Sequence, residues 1–183
     1  MNAATGSADA AQGPGPIEGF SDCHAGILSG LRDFAELPPL QDAAQRARSI
    51  ARRTLALLDH AVQVHHAEEE QELFTAVLRS ARPGAEHERV QALVRQLTDE
   101  HREIEALWRK LRPEVSHAAA GKASQLREDA VKLLAEVYGM HAELEERDFL
   151  PLARDILGRN GNHMAALGMS LHMRHAAVPA AHI

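Results

Sequence analysis

The sequence predicts an all-α fold, an antiparallel four-helix bundle with a short extra C-terminal helix. Three observations carry that expectation. Aromatic residues make up only 3% of the 183 residues and β-branched ones are few, while Leu and Ala are plentiful, which favours helix over strand. Four long stretches carry apolar residues at spacings of three and four. Pro and Gly punctuate the chain between these stretches and leave short connections, so that consecutive helices run antiparallel. No strand or hairpin pattern competes, and no fixed-period repeat emerges.

Taken in order, residues 1–15 are small, with Gly and Pro, and read as a flexible N-terminal segment. They carry no Lys or Arg and no apolar stretch, so they are not expected to act as a secretory signal. After Pro16, Phe20, Ile27, Leu31 and Phe34 recur at helical spacing until Pro38-Pro39 stops the run. A second helix is expected over residues 41–82, ended by Pro83-Gly84. A third starts near Ala85 and carries Val90, Val94, Leu97, Ile104, Trp108 and Leu111 on one side; Pro113 should kink or end it, with Gly121 closing the region. The fourth, over residues 123–157, has Val131, Leu134, Tyr138, Phe149 and Leu152 as its stripe and a kink at Pro151. Residues 163–175 are expected to form a short fifth helix. The bundle thus occupies residues 16–158, followed by a short helix and tail over 159–183.

Hydrophobic residues are 45% and charged residues 25%, ordinary for a globular chain. A net charge of −6 and only 20 Lys plus Arg provide no electrostatic footprint for nucleic acid or an anionic membrane. No apolar run approaches the roughly 18 residues a spanning helix needs. One cysteine, Cys23, excludes an intramolecular disulfide, an all-thiolate zinc site and a four-Cys iron–sulfur cluster. These features predict a soluble, cytoplasmic protein. Twelve histidines are the unusual entry.

Their placement interrupts the apolar stripes. The inward series of the second helix reads Val62, His66, Glu70, Leu73, Val77; that of the third reads Val94, Leu97, His101, Glu105, Trp108. The fourth gives Leu134, Tyr138, His141, Glu145, Phe149, Leu152, and the first gives Phe20, His24, Ile27, Leu31. With 17 Glu in the chain, random placement yields about one His-x-x-x-Glu pair, and the sequence has four: His65/Glu69, His66/Glu70, His101/Glu105 and His141/Glu145. Burying four imidazoles and three carboxylates without a partner is costly. Two divalent cations resolve it, because imidazole nitrogen and carboxylate oxygen suit iron, and Glu from facing helices can bridge two ions. A non-heme di-iron centre is the favoured assignment, although these ligand types also admit manganese or zinc.

The segments DCHAGIL, HHAEEEQELF, DEHREIEALWRKLRP and HAELEERDFLPLA resemble the four helical signatures of the hemerythrin-like, HHE cation-binding family, and the tail LGMSLHMRH is similar to a segment that follows the fourth helix in many members. The resemblance covers roughly residues 16–175. It implies an antiparallel bundle around two non-heme iron ions (Fe2+/Fe3+), bridged by oxo or hydroxo and by carboxylate. By motif position the ligands would be His24, His66, Glu70, His101, Glu105, His141 and Glu145, with Glu70 and Glu145 bridging. The oxygen-carrying members place a second His one turn after the third-helix His, where this chain has Glu105. Four His and three Glu make a more anionic set, which favours the oxidised metal. The resemblance is thus closer to members associated with iron or oxygen sensing, response to peroxide or nitric oxide, and repair of iron centres. Oxygen carriers place the fourth-helix carboxylate five residues after the His, which makes Glu146 the alternative; the one-turn spacing favours Glu145.

The remaining histidines read otherwise. His65 lies about 100° around the helix from His66 and should face a groove or solvent. His60, His87 and His117 fall off the stripes, and His163, His172, His175 and His182 are read as solvated residues late in the chain. Cys23 is expected to be an inert free thiol, Trp108 a core residue, and Tyr138 either core or a neighbour of the ligands. A ferritin-like carboxylate bundle would need Glu-x-x-His on two helices, and the only such pair here is Glu114/His117. HExxH and a Gly-rich phosphate loop are absent. The function expected is binding or sensing of O2, NO, peroxide or iron at the His/Glu site, with any turnover being redox chemistry at iron. The competing expectation is a structural or partner-binding helical bundle without a functional metal.

Overall fold

The structure, a computed structural model, describes residues 16–159 and residue 161, and every regular element among them is helical. The expected lead-in at 1–15 and the expected fifth helix at 163–175 lie outside the described residues. The chain divides between Arg46 and Ala47 into two compact units.

The N-terminal unit holds α1, Pro16–Ala35, and the start of α2, Leu37–His60. Glu36 alone joins them, its N–H donating to Asp33 O at 3.2 Å. The second helix therefore begins four residues before the expected Gln41. Pro38 and Pro39 sit in its first turn, where the backbone N–H groups have no helical acceptor and the proline ring costs no hydrogen bond. Ile27, Leu28, Leu31 and Phe34 of α1 are all more than half exposed.

The second unit continues along α2 from Ala47. After His60 the rod widens into a π turn at Ala61–His65, takes one short α segment, α3 (His66–Glu68), widens again at Glu69–Leu73, and finishes as α4, Phe74–Ser80. Gly84, at φ 96°, supplies the turn conformation that an L side chain rarely adopts. Next, α5 runs over Ala85–Ala119 with Pro113 inside it, so the helix does not end there. Pro113 and Arg109 are both exposed, so the Arg109 carbonyl deprived of its partner faces water. The helix closes as the Gly121 signal predicts: Lys122 N–H donates to His117 O and Gly121 N–H to Ala118 O, with Gly121 at φ 71°. The fourth expected helix starts later than predicted, as α6 over Glu128–Leu144. Glu114 holds the preceding segment off the helix by accepting from Gln125 N at 2.6 Å through its carboxylate and from Ser124 Oγ at 2.9 Å through its backbone carbonyl. A third π turn at Glu145–Phe149 leads into α7, Leu150–Leu157, with Pro151 in its first turn.

In this unit α4 and α6 pack on α5, and α7 packs on α4. The packed unit is thus a helical bundle of three long segments, and α1, the fourth, belongs to the N-terminal unit. No helix among the described residues is long and apolar enough to cross a membrane.

Two apolar clusters lie along α5. One gathers Ala51, Ile104, Trp108, Leu111, Leu134 and Val137, and the other Phe74, Val77, Val90, Leu97, Phe149 and Ile156. Trp108 is core as expected, 3% exposed, and its Nε1–H donates to Asp59 Oδ1 at 2.9 Å; the Arg112 guanidinium grips both oxygens of the same carboxylate at 2.8 Å. The sequence of α5 switches from one cluster to the other at His101, and a polar layer occupies that level.

Candidate metal centre

Every residue of this layer comes from a helix whose neighbouring turns are anchored in the two apolar clusters. His66, His101 and His141, one from each long segment, are 1%, 0% and 2% exposed. The His66 and His101 rings stack 4.0 Å apart and nearly parallel, and the His141 ring meets that of His101 edge-on at 4.8 Å. One nitrogen from each of the three lies within 4.8 Å of the others, a spacing that suits one cation. Beside them His65, Glu69 and Glu145 form a second group on the same criterion.

The hydrogen-bond account of this layer does not close. His66 Nδ1 and Nε2, His101 Nε2, Glu69 Oε2 and Glu145 Oε1 are buried without a hydrogen-bond partner. His101 Nε2 lies 3.3 Å from Glu69 Oε2, close enough to attract but without hydrogen-bond alignment. Stranded buried polar atoms cost about 1–3 kcal/mol each, so five in one layer mark a site built for a ligand. All are nitrogen or carboxylate oxygen, the donor set of a non-thiolate metal site.

The electrostatics agree. Burial, reinforced by the positive charge of neighbouring His101, holds His66 down at about 3, so it is neutral and able to donate a lone pair. Burial likewise lowers His141. Burial also works against a charged His101, but the carboxylates of Glu69 and Glu70 overcome it and raise its pKa. Burial and then the Glu69 carboxylate push Glu145 up to about 8, the response of two carboxylates confined together. Outer carboxylates orient two of the imidazoles: Nδ1 of His101 pairs with Glu70 Oε1 at 2.9 Å, and Nδ1–H of His141 donates to Glu100 Oε2 at 3.1 Å. Such partners fix the tautomer and aim the other ring nitrogen at a metal. Tyr138 is half-buried with its ring 6.1 Å from that of His66, and burial and the carboxylates of Glu69 and Glu145 raise its pKa.

Of the seven expected ligands, the structure brings together His66, His101, His141 and Glu145. Glu145 is buried and Glu146 exposed. Glu70 and Glu105 sit at the rim, 23% and 19% exposed, both held by the Arg102 guanidinium. Glu105 Oε1 stands 3.9 Å from His66 Nδ1. His24 lies on α1 in the N-terminal unit and is exposed there. His65 and Glu69 enter the layer although the stripe did not select them, and Glu100 was not singled out. The signal for the first two was present in HHAEEE, which contains two overlapping His-x-x-x-Glu pairs. The π turns decide between them. Ala61 to His66 and Glu69 to Phe74 are five-residue steps between buried positions, each spanned by a wide turn that a 3.6-residue period does not anticipate.

The shifts set a pH response of the metal-free protein. Glu145 and His101 bind protons more tightly folded than unfolded, and His66 binds them less tightly. As pH rises towards 6.5, the ordinary value for histidine, the unfolded chain releases a proton that folded His66 never held, which favours folding. Glu145 opposes this from 4.5 upward. Above 6.5 only the raised groups still titrate, so stability is expected to fall between pH 6.5 and about 8. Denaturant midpoints across that window measure it, and a midpoint that rises with pH would contradict the assignment. Because a bound cation displaces these protons, metal affinity is expected to rise over the same window.

A profile of the hemerythrin HHE cation binding domain matches residues 15–153 of the chain. No curated protein and no solved structure matches it.

Proposed function

The chain belongs to the hemerythrin HHE cation-binding family, and from that premise we propose that it is a non-heme di-iron protein that binds or senses a small ligand, O2, NO or peroxide, or the iron itself. The observation that carries this reading is the set of five buried, unsatisfied nitrogen and oxygen atoms on His66, His101, Glu69 and Glu145. His66, His101 and His141 would hold one ion, and His65, Glu69 and Glu145 would serve the second. Bound there, iron would supply a redox-active centre able to take a diatomic or peroxide ligand.

The chain's own residues do the rest. Glu70 and Glu100 lock the His101 and His141 rings in orientation. Phe74 stacks against His101 with centroids 5.9 Å apart, and its partner Phe149 closes the layer from below, so water is excluded on that side. Arg102 balances the negative charge of Glu70 and Glu105 at the rim. The Tyr138 hydroxyl is kept protonated and can donate a hydrogen bond. Of the sequence-expected ligands, Glu70 and Glu105 are then rim carboxylates that tune the centre.

Metal content and the absorption spectrum of protein expressed with ample iron test the reading. About two irons per chain are expected, with a melting temperature that falls under chelation. No bound metal and an unchanged melting temperature would replace this reading with that of a structural helical bundle. Adding O2, NO and peroxide separately to the reduced protein then identifies the ligand.

A further inference from the structure

We propose that Arg102 is a latch: its guanidinium holds the Glu70 and Glu105 carboxylates at the rim of the His/Glu layer and so keeps a coordination position open beside His66. The proposal rests on the metal reading above and adds what stops two neighbouring carboxylates from closing the centre.

Arg102 owes its place to His101. The next residue along α5 lies about 100° around the helix, so His101 and Ile104 are fully buried while the Arg102 side chain is 53% exposed. From there its fork spans two segments. Nη1 donates to Glu105 Oε1, three residues along its own helix, and Nη2 donates to Glu70 Oε2 on the neighbouring segment. Glu70 is a fixed post. It belongs to the π turn Glu69–Leu73, its backbone carbonyl accepts from Thr75 Oγ1 at 3.2 Å, and its other carboxylate oxygen is taken by His101 Nδ1. Lysine, a single point of charge, lacks the planar fork that grips two carboxylates at once.

Glu105 is the moving part. Its Oε1, the oxygen that Arg102 holds, stands 3.9 Å from His66 Nδ1. That is about 1 Å beyond an ordinary hydrogen bond, and His66 Nδ1 is one of the stranded buried atoms. A carboxylate this close to an unsatisfied buried nitrogen turns towards it unless a stronger partner holds it back. The guanidinium is that partner, always charged and already at hydrogen-bond distance. Freed from Arg102, Glu105 would swing inward and offer an anionic oxygen beside His66. It would then occupy the position that a small exogenous ligand needs, since a metal site stays reactive only while one position is left open by the protein.

Two other roles for Arg102 predict different outcomes. An ordinary exposed ion pair contributes little, and its loss would leave the centre untouched. Direct attraction of an anion by the Arg102 charge would add to the effect of any other charge at the rim, which a double-mutant cycle detects.

Azide, a small anion that coordinates ferric iron, is the probe. Wild type, Arg102→Gln, Glu105→Gln and the double variant are loaded with iron, oxidised in air and titrated with azide by absorption. Arg102→Gln should weaken azide binding by roughly ten-fold or more, and should shift the iron absorption bands before azide is added. Glu105→Gln should change the affinity by less than about two-fold in the wild-type background, yet restore it in the Arg102→Gln background. Equal effects of Glu105→Gln in both backgrounds reduce Arg102 to its charge and overturn the latch. Loss of iron from Arg102→Gln overturns it too, because a freed carboxylate adds a ligand. Wild-type protein without iron overturns the metal reading and the latch with it, whereas iron-loaded protein whose azide affinity ignores Arg102→Gln overturns the latch alone.

Discussion

Glu69→Gln is expected to weaken iron binding by more than roughly 100-fold, whereas Glu70→Gln should weaken it by only roughly 10-fold, the effect typical of an outer partner. The two side chains are adjacent in sequence, chemically identical, and differently placed. Glu69 is 6% exposed, with an unsatisfied Oε2 that lies 3.3 Å from His101 Nε2. It stands in one group with His65 and Glu145. Glu70 spends one oxygen on His101 Nδ1 and the other on Arg102. Substitution to Gln preserves size and leaves a neutral amide in place of a charged donor, so the comparison isolates ligation from packing. Competition with a chelator of known affinity measures both variants. Equal losses, or a larger loss at Glu70, would return the ligand role to the motif position that the sequence pattern selects.

The second large effect is on stability. Phe149→Ala should destabilise the fold by about 3–5 kcal/mol, as for other large aromatic truncations in cores. Phe149 is fully buried, meets Phe74 in an edge-to-face pair at 4.9 Å, and anchors a cluster shared by α4, α5 and α7. For a domain of this size the melting temperature should fall by roughly 6–20 °C. Because Phe74 also stacks on His101, the variant should lose metal affinity as well, which Glu69→Gln can do without unfolding the chain. A loss of less than 1 kcal/mol would mean that the cluster collapses around the gap.

What the sequence made legible was whatever repeats at a simple helical period. His101 and His141 each sit in plain α-helix, and the apolar residues around them leave one inward face, so their positions follow from counting. Glu145 follows from His141 by one turn. Glu69 did not follow, because the wide turns on either side of His66–Glu68 change the count locally. Pro113 did not end its helix, and Pro38 and Pro39 lie inside the start of α2 rather than before it, because a proline breaks a helix only where it removes a bond that water or position does not replace. Glu100 carried no sequence signal, since its role depends on an inter-helix approach of 3.1 Å to a ring on another segment.

The three π turns have a consequence for how this chain can vary in length. In a loop, gaining or losing one residue is commonly tolerated. In a helix, losing one residue rotates everything beyond it by about 100°. Here Ala61–His65, Glu69–Leu73 and Glu145–Phe149 each already hold the additional residue that a wide turn accommodates. Deleting one residue from such a turn lets it relax to ordinary α-helix while the residues past it keep their facing. These turns are therefore the places inside the long helices where single-residue deletions are least disruptive to the fold. The chemistry would still suffer, because each deletion slides one donor of the His/Glu layer out of level with the rest.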